Sequence, residues 1–325
     1  MAEIGVLGAG AWGTALANQA ARSADKVTLW ARDNLHVREM CETRENRRRL
    51  PGVALAGNVT PSADLLALAQ AQLVLLAVPA QAFRGLLEGL ALVLRPGVPI
   101  VICAKGIERG TGFFLSDIVA DILPQHPVAV LSGPSFAQDL AKSLPTAVTL
   151  ATHDAATLDH VLDALAAPYF RMYHSTDIRG AEIGGAAKNV IAIACGIAAG
   201  RQLGASAQAA LVARGFAELA RFGRAFGARA ETLMGLSGLG DLVLTCNSPQ
   251  SRNFACGFAL GSGQPRANAG VVEGVHTASA LVAMARARGV DMPIASAVDA
   301  ILTGTIDIDG SIDALLARPS RSEGF

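Results

Sequence analysis

A glycine turn near the start of the chain limits what it can fold into more than any other feature. Gly8-Ala9-Gly10-Ala11-Trp12-Gly13 directly follows the apolar run at residues 4–7 and leads into an alanine-rich segment of helical period, residues 11–22. In a G-x-G-x-x-G pattern between a strand and a helix, the first glycine allows the tight turn. The second lets the backbone approach a pyrophosphate, and the third permits close helix–strand packing. The helix start adds unpaired N–H groups and a partial positive charge. The pattern predicts a first domain that binds a dinucleotide through Gly8, Gly10 and Gly13, with Ala11 and Trp12 inside the turn. An NAD-selective site usually carries an acid about 20 residues further on. Here Arg32 stands 19 residues after Gly13, with Asp33 next. An arginine at this point can hold a 2′-phosphate, and it is also compatible with a plain exposed strand end. NADP or NAD is the expected cofactor, with NADPH accepted.

The pattern of the turn continues along the chain. Further short runs, apolar on both faces, occur at residues 27–30, 73–78, 100–103, 128–131, 147–150 and 170–173, with helical stretches such as 81–94 and 155–165 between them. Such alternation indicates a doubly wound, mainly parallel sheet. Beyond residue 180 the strand signal fades into long helices rich in Ala and Gly, at 181–199, 207–226, 274–288 and 293–303. The expected fold is an α/β N-terminal Rossmann domain, residues 1–180, followed by an all-α C-terminal domain, residues 181–325. A length of 325 residues is compatible with two domains.

Charge and composition remove several classes. The 27 basic side chains balance 27 acidic ones, so the chain lacks the basic surface of a nucleic-acid binder. The uncharged runs at 65–83 and 4–21 are broken by Gln, Pro, Asn or Gly, so no integral membrane segment is expected from them. The N-terminus shows no basic region or cleavage site, and Cys41, Cys103, Cys195, Cys246 and Cys256 are odd in number and scattered. A reduced, cytoplasmic protein is therefore expected. The six histidines form no grouping with metal spacing, so no metal is expected, and no G-x-S-x-G elbow occurs. The basic run of Arg44, Arg47, Arg48 and Arg49 reads as a solvated face.

A few polar residues stand out on their own chemistry. Lys188 is the only charge between Glu182 and Arg201, and its neighbours on a helix would be Ala181, Gly184, Gly185, Ile191, Ala192 and Cys195. Desolvation on so apolar a stripe lowers a lysine pKa toward the range of a proton carrier, unless the side chain snorkels to water. Lys105 lies just past the run at 100–103, at the carboxyl edge where open α/β sheets bind ligands, although taken alone it reads better as a solvated surface lysine. Ser135-Phe136-Ala137-Gln138 reads as a capping box opening a helix, with Gly133 and Pro134 shaping the turn before it. Asp241 follows the flexible turn Ser237-Gly238-Leu239-Gly240. Near Lys188 it would hold the ammonium, and otherwise it is a turn or capping residue. Ser251-Arg252-Asn253 combines a hydroxyl, a fork donor and an amide that suit a phosphate dianion, although it is also an ordinary polar turn.

Taken together and in order, Gly8–Gly13, Ala104-Lys105-Gly106, Ser132-Gly133-Pro134-Ser135-Phe136-Ala137, Gly184–Asn189, Gly238–Thr245, Gln250–Asn253 and Val271–Gly274 resemble the bacterial NAD(P)-dependent glycerol-3-phosphate dehydrogenases. The resemblance runs from the first strand to near the C-terminus. It implies reversible reduction of dihydroxyacetone phosphate to sn-glycerol 3-phosphate, which supplies phospholipid synthesis. It implies Lys188 as general acid/base, with Lys105 and Asp241 as its catalytic companions. Gly133, Ser135, Asn189 and Thr245 are placed at the substrate, and Ser251, Arg252 and Asn253 at its phosphate. Ala11, Trp12, Arg32, Lys105, Ala137, Arg252, Val272 and Glu273 are placed at the cofactor. Ala11 stands where many members carry a hydroxyl residue, and the connection 261–270 is short for the family. A keto-acid reductase of similar plan would recognise a carboxylate, whereas Ser251–Asn253 with Lys105 favours phosphate. A non-catalytic dinucleotide sensor would leave Lys188 and Asp241 structural. The only expected partner is a small phosphorylated substrate, and the long apolar helices leave room for a homodimer.

Overall fold

A computed structural model of the chain describes residues 2–265 and 270–319. They form two compact units. One comprises residues up to Ala104 together with Leu115–Ile178, and the other comprises Lys105–Phe114 and the residues from Arg179 onward.

The first unit is built on an eight-stranded sheet: β1 (Glu3–Leu7), β2 (Lys26–Trp30), β3 (Val59–Ser62), β4 (Leu73–Leu76), β5 (Ile100–Ile102), β6 (Val128–Ser132), β7 (Thr146–Thr152) and β8 (Phe170–Ser175). Their spatial order is β3-β2-β1-β4-β5-β6-β7-β8, and every pairing is parallel except β6 with β7. The α/β fold expected from the sequence is thus the one observed. The inner strands are apolar on both faces because both faces are covered: every residue of β4 and β5 is buried. The connecting helices are α1 (Ala11–Ala20), α2 (Asn34–Thr43), α3 (Phe83–Ala91), α4 (Leu115–Ile122), α5 (Ala137–Ala141) and α6 (Ala155–Leu165). The order reverses between β1 and β4, and the glycine turn lies at the carboxyl end of β1, the position where doubly wound sheets bind ligands.

Sequence periodicity does not show β3, which reads Val59-Thr60-Pro61-Ser62. As an edge strand it tolerates the proline, which could not donate in the middle of a sheet. The capping box expected at Ser135 does not form. Phe136 is the residue preceding α5, no side chain caps that helix, and the Ser135 hydroxyl donates instead to the Gly133 carbonyl oxygen at 3.2 Å. The basic run is paired on the surface, with Arg48 bonded to Asp33 and Glu39 and Arg47 to Glu45.

The second unit is helical, with α7 (Ile178–Gly200), α8 (Ala205–Ala225), α9 (Ala230–Met234), α10 (Asp241–Cys246), α11 (Arg252–Gly261), α12 (Glu273–Ala287), α13 (Pro293–Thr303) and α14 (Ile308–Leu316). A π-helical turn, Leu236–Gly240, leads into α10. Helix α7 is long and apolar enough to cross a membrane, yet 89% of its apolar window is buried inside the protein. It is apolar all round because it is the central helix of this unit. Its glycines let neighbours approach at backbone distance. A Cβ at Gly196 would collide with the Phe254 carbonyl oxygen, and one at Gly257 with that of Ile193, so α7 and α11 pack almost backbone to backbone. A Cβ at Gly184 would meet the Ser237 carbonyl, which brings the π turn and Asp241 against α7. Buried Glu218 on α8 accepts from the backbone N–H groups of Ile294 (2.6 Å) and Ala295 (3.1 Å), tying down the start of α13. Burial pushes its carboxyl pKa up to about 7 against the opposing pull of those N–H groups. Four residues of the connection 261–270, residues 266–269, lie outside the described residues.

Candidate active site

The first unit presents a cradle made of backbone. Gly8 has φ +109°, a conformation that disfavours any side chain, and a Cβ there would sit 2.8 Å from the Ala77 backbone on β4's carboxyl side. Gly13 faces the Gly8 carbonyl too closely for any Cβ. Gly10 differs from both. Nothing lies within 4 Å of where its Cβ would be, so the turn is open on the side a pyrophosphate would take. Gly10 is also the residue before α1, with no side-chain cap and no acid in the first turn of the helix. The N–H groups of that turn have no intrahelical acceptor, and the field there favours an anion. These residues fit the diphosphate of a dinucleotide.

Past β2, Arg32 is exposed and makes no hydrogen bond or ion pair among the described residues. The neighbouring Asp33 is occupied. Its carboxylate accepts from the N–H groups of Leu35 and His36 at the start of α2 and pairs with Arg48. The backbone bond from His36 is the main reason its pKa is lowered. Asp33 therefore acts as a helix cap, and Arg32 is left facing outward. Gly133, Ser135 and Ala137 stand in the same unit, between the end of β6 and the start of α5.

The second unit gathers the charged candidates. Asp241, 1% exposed, holds two ammonium groups with one carboxylate. Its Oδ1 lies 2.5 Å from Lys188 Nζ, and its Oδ2 lies 2.6 Å from Lys105 Nζ. Lys188 Nζ also donates to Thr245 Oγ1 at 2.7 Å. Asp241 and Thr245 face the same way because they are four residues apart on α10. Two lysines sharing one aspartate leave the cluster one positive charge in excess, which suits an anionic substrate. Lys188 uses two of its three N–H donors within the cluster and has no further partner among the described residues, so one is left for a ligand oxygen. Burial lowers the Lys188 pKa from 10.5 to about 8. Asp241 opposes the fall and the Lys105 charge adds to it.

A second polar chain runs beside it. Asn253 Nδ2 donates to Asn189 Oδ1 at 2.8 Å, and Asn253 Oδ1 accepts from Gly274 N–H at 2.9 Å. Asn189 Nδ2 reaches the Gly185 carbonyl at 3.3 Å. Asn253 therefore links α7, α11 and the start of α12, where Val272 precedes the helix and Glu273 opens it. The tripeptide Ser251-Arg252-Asn253 is a helix start and not a free turn. Ser251 precedes α11, and its Oγ accepts from Phe254 N–H at 3.2 Å. That placement sets the N–H groups of the first helical turn in sequence next to Arg252, a combination that suits an anion.

Three contributors carry no local signal in the sequence. Asn46 and His36 brace the glycine turn, and Cys246 on α10 is buried near Lys188, where the neighbouring Cys195 thiol and burial raise its pKa well above the usual value. Each depends on contacts between distant segments and leaves no local pattern. Among the described residues, no three His, Cys, Asp or Glu side chains are grouped to hold a metal ion.

A backbone cradle for a dinucleotide in one unit, with a buried lysine–aspartate–lysine cluster in the other, defines a dinucleotide-dependent oxidoreductase. The chain belongs to the NAD-dependent glycerol-3-phosphate dehydrogenase family. Residues 3–158 match the family's N-terminal profile and residues 177–313 its C-terminal profile. It is 60% identical to a glycerol-3-phosphate dehydrogenase (NAD(P)+) of Azorhizobium caulinodans, over 99% of this chain and 98% of that one. A protein of the same name from Beijerinckia indica is 59% identical over 99% and 97% of the two chains. The crystal structure of glycerol-3-phosphate dehydrogenase from Coxiella burnetii superposes with a TM-score of 0.94 at 38% identity, covering 98% of this chain and 99% of that one.

Proposed function

We propose that this chain catalyses the reversible NAD(P)H-dependent reduction of dihydroxyacetone phosphate to sn-glycerol 3-phosphate and thereby supplies glycerol 3-phosphate for phospholipid synthesis. The observation that carries the reading is the Lys105–Asp241–Lys188 cluster, a buried proton donor held by a carboxylate with a net positive charge beside it. The family membership and the 60% identity to a relative of that name support it.

When bound, the nicotinamide supplies the hydride that reaches C2 of the ketone. Lys188 gives a proton to the alkoxide oxygen as it forms. With a pKa of about 8 it is largely protonated near neutral pH, and it gives that proton up more readily than an ordinary lysine. Asp241 orients both ammonium groups, and Lys105 polarises the carbonyl. Thr245 accepts from Lys188 and so fixes its rotamer. Arg252, with Ser251, Asn253 and the first amides of α11, holds the substrate phosphate, and Asn189 steadies Asn253. Gly133 and Ser135 contribute to the substrate side of the first unit. This is catalysis by positioning and charge complementarity.

For the cofactor, Gly8, Gly10, Ala11, Trp12 and Gly13 meet the diphosphate, and Arg32 meets a 2′-phosphate. Lys105, Ala137, Arg252, Val272 and Glu273 complete its contacts. The unit formed by residues up to Ala104 with Leu115–Ile178 serves as the dinucleotide domain, and Lys105–Phe114 with the residues from Arg179 onward serve as the helical substrate and catalytic domain, where the sequence alone placed the division at residue 180. We infer a cytoplasmic enzyme, with a homodimer formed through the helical half.

The test is oxidation of NADPH and NADH in parallel with dihydroxyacetone phosphate, 2-keto acids and 3-keto acids as substrates. Rapid turnover with the phosphorylated ketone alone is expected. Turnover restricted to keto acids would overturn the substrate assignment, and binding of both cofactors without turnover on any substrate would overturn the enzymatic one.

A further inference from the structure

The glycine turn is held from behind by a side chain 32 residues beyond Thr14 in the sequence. Asn46 is fully buried, and its Nδ2 donates both hydrogens: one to the Ala9 carbonyl oxygen at 3.0 Å, the other to Thr14 Oγ1 at 2.7 Å. Thr14 Oγ1 donates in turn to the Gly10 carbonyl oxygen at 2.8 Å. A carbonyl can only accept, so the atom facing Ala9 must be the amide nitrogen, and the direction of every bond in the chain follows. Asn46 Oδ1, 2.8 Å from His36 Nε2, is therefore the acceptor, and His36 carries a hydrogen on Nε2. His36 is itself buried in the first turn of α2, and its backbone N–H is capped by Asp33, next to Arg32.

Ala9 and Gly10 are the peptides whose orientation decides where the N–H groups of the turn and of α1 point. The Ala9 carbonyl is held by Asn46 itself, and the Gly10 carbonyl, which also accepts from Thr14 N–H at 3.0 Å, receives its second bond from the same chain. A single buried amide thus ties the segment suited to the diphosphate to the segment suited to the adenosine ribose.

We infer that Asn46 is a positioning residue for the dinucleotide, held in place by His36, that sets the orientation of the Ala9 and Gly10 peptides and so governs cofactor affinity without touching the cofactor. The inference rests on the dinucleotide-binding reading of the first unit. Removing the amide leaves the Ala9 carbonyl without its bond, and the peptide is then free to rotate away from the orientation a diphosphate needs.

The test compares the full-length protein with Asn46→Ala, Asn46→Asp and His36→Gln. It reads the NADPH Kd by fluorescence titration, kcat and KM for dihydroxyacetone phosphate at saturating cofactor, and Tm. Asn46→Ala is expected to weaken NADPH binding about tenfold, the loss of one well-placed buried bond, with kcat and substrate KM near those of the parent. Asn46→Asp is expected to be weaker still, because it turns an acceptor toward the Ala9 carbonyl and adds negative charge behind the anion site. His36→Gln keeps an N–H donor for Asn46 Oδ1 and is expected to bind nearly as the parent does. A folded Asn46→Ala protein with parental Kd would overturn the inference. So would a joint loss of kcat, KM and Kd, which is the signature of general loosening. If Asn46→Ala does not fold, Thr14→Val carries the test by removing the relay to Gly10: weakened NADPH binding at unchanged kcat supports the inference, and parental affinity overturns it. Failure of the unmutated protein to bind either dinucleotide would instead sink the functional reading itself.

Discussion

The two units solve the recognition of anions in opposite ways. In the first, the donors are backbone N–H groups at an uncapped helix start, and the side chains around them are small or absent: Gly8, Gly10, Ala11 and Gly13. In the second, the work falls to long charged side chains in a dry interior, two lysines around an aspartate that is 1% exposed. A backbone site keeps its dipoles whatever the pH, so it suits a group that must be held in one charge state. A buried ammonium has a movable pKa, so it suits a proton that must be transferred. Under the proposed function, the contrast gives dinucleotide binding to the first region and proton transfer to the second.

The change expected to sharpen this division most is Lys188→Ala. It should cut turnover by ~10²–10⁴, the usual contribution of a positioned acid, while the NADPH Kd measured by titration stays at the parental value. An equal loss of cofactor affinity would break the division. Next in size, at saturating cofactor, Arg252→Ala should raise the KM for dihydroxyacetone phosphate by roughly ten- to a hundredfold, the weight of a charge-assisted pair, and should hardly alter whatever turnover the parent shows with unphosphorylated dihydroxyacetone. A parallel loss on both ketones would show that Arg252 does not read the phosphate. The smallest effect is expected in the first unit. Arg32→Ala should raise the NADPH KM by about two- to fivefold, the worth of an exposed ion pair, and leave that for NADH unchanged. Steady-state kinetics with the two cofactors in parallel check this.

The same contrast explains what could be read from the sequence. The cradle is local: six consecutive residues after an apolar run show both the turn and the helix behind it. The strands of the inner sheet are equally plain, because burial on both faces leaves continuous apolar runs. Edge strand β3 is hidden by Pro61, and Ser135 looked like a cap because capping patterns say nothing about the competing bond to Gly133. The charged cluster is not local at all. Lys105 and Asp241 are 136 residues apart, and Lys188 and Asp241 are 53 apart. The apolar surroundings of Lys188 were visible in one segment. That Asp241 also binds Lys105, and that Asn253 bonds Asn189 and Gly274, follows only from how α7, α10, α11, α12 and the segment Lys105–Phe114 pack. The Asn46 brace behind the glycine turn belongs with these, since nothing near residue 46 announces it.

In the proposed reaction Lys188 carries the transferred proton, with a pKa of about 8. The direct measurement is the pH dependence of kcat for dihydroxyacetone phosphate reduction, compared between the parent and Asp241→Asn. Reduction needs the ammonium, so kcat should fall as pH rises through about 8, and the reverse oxidation should rise over the same interval. Asp241 holds the Lys188 pKa up, so removing its charge should move that limb to lower pH. A reduction rate that stays flat through this range, or a limb that does not move in Asp241→Asn, would contradict the assignment.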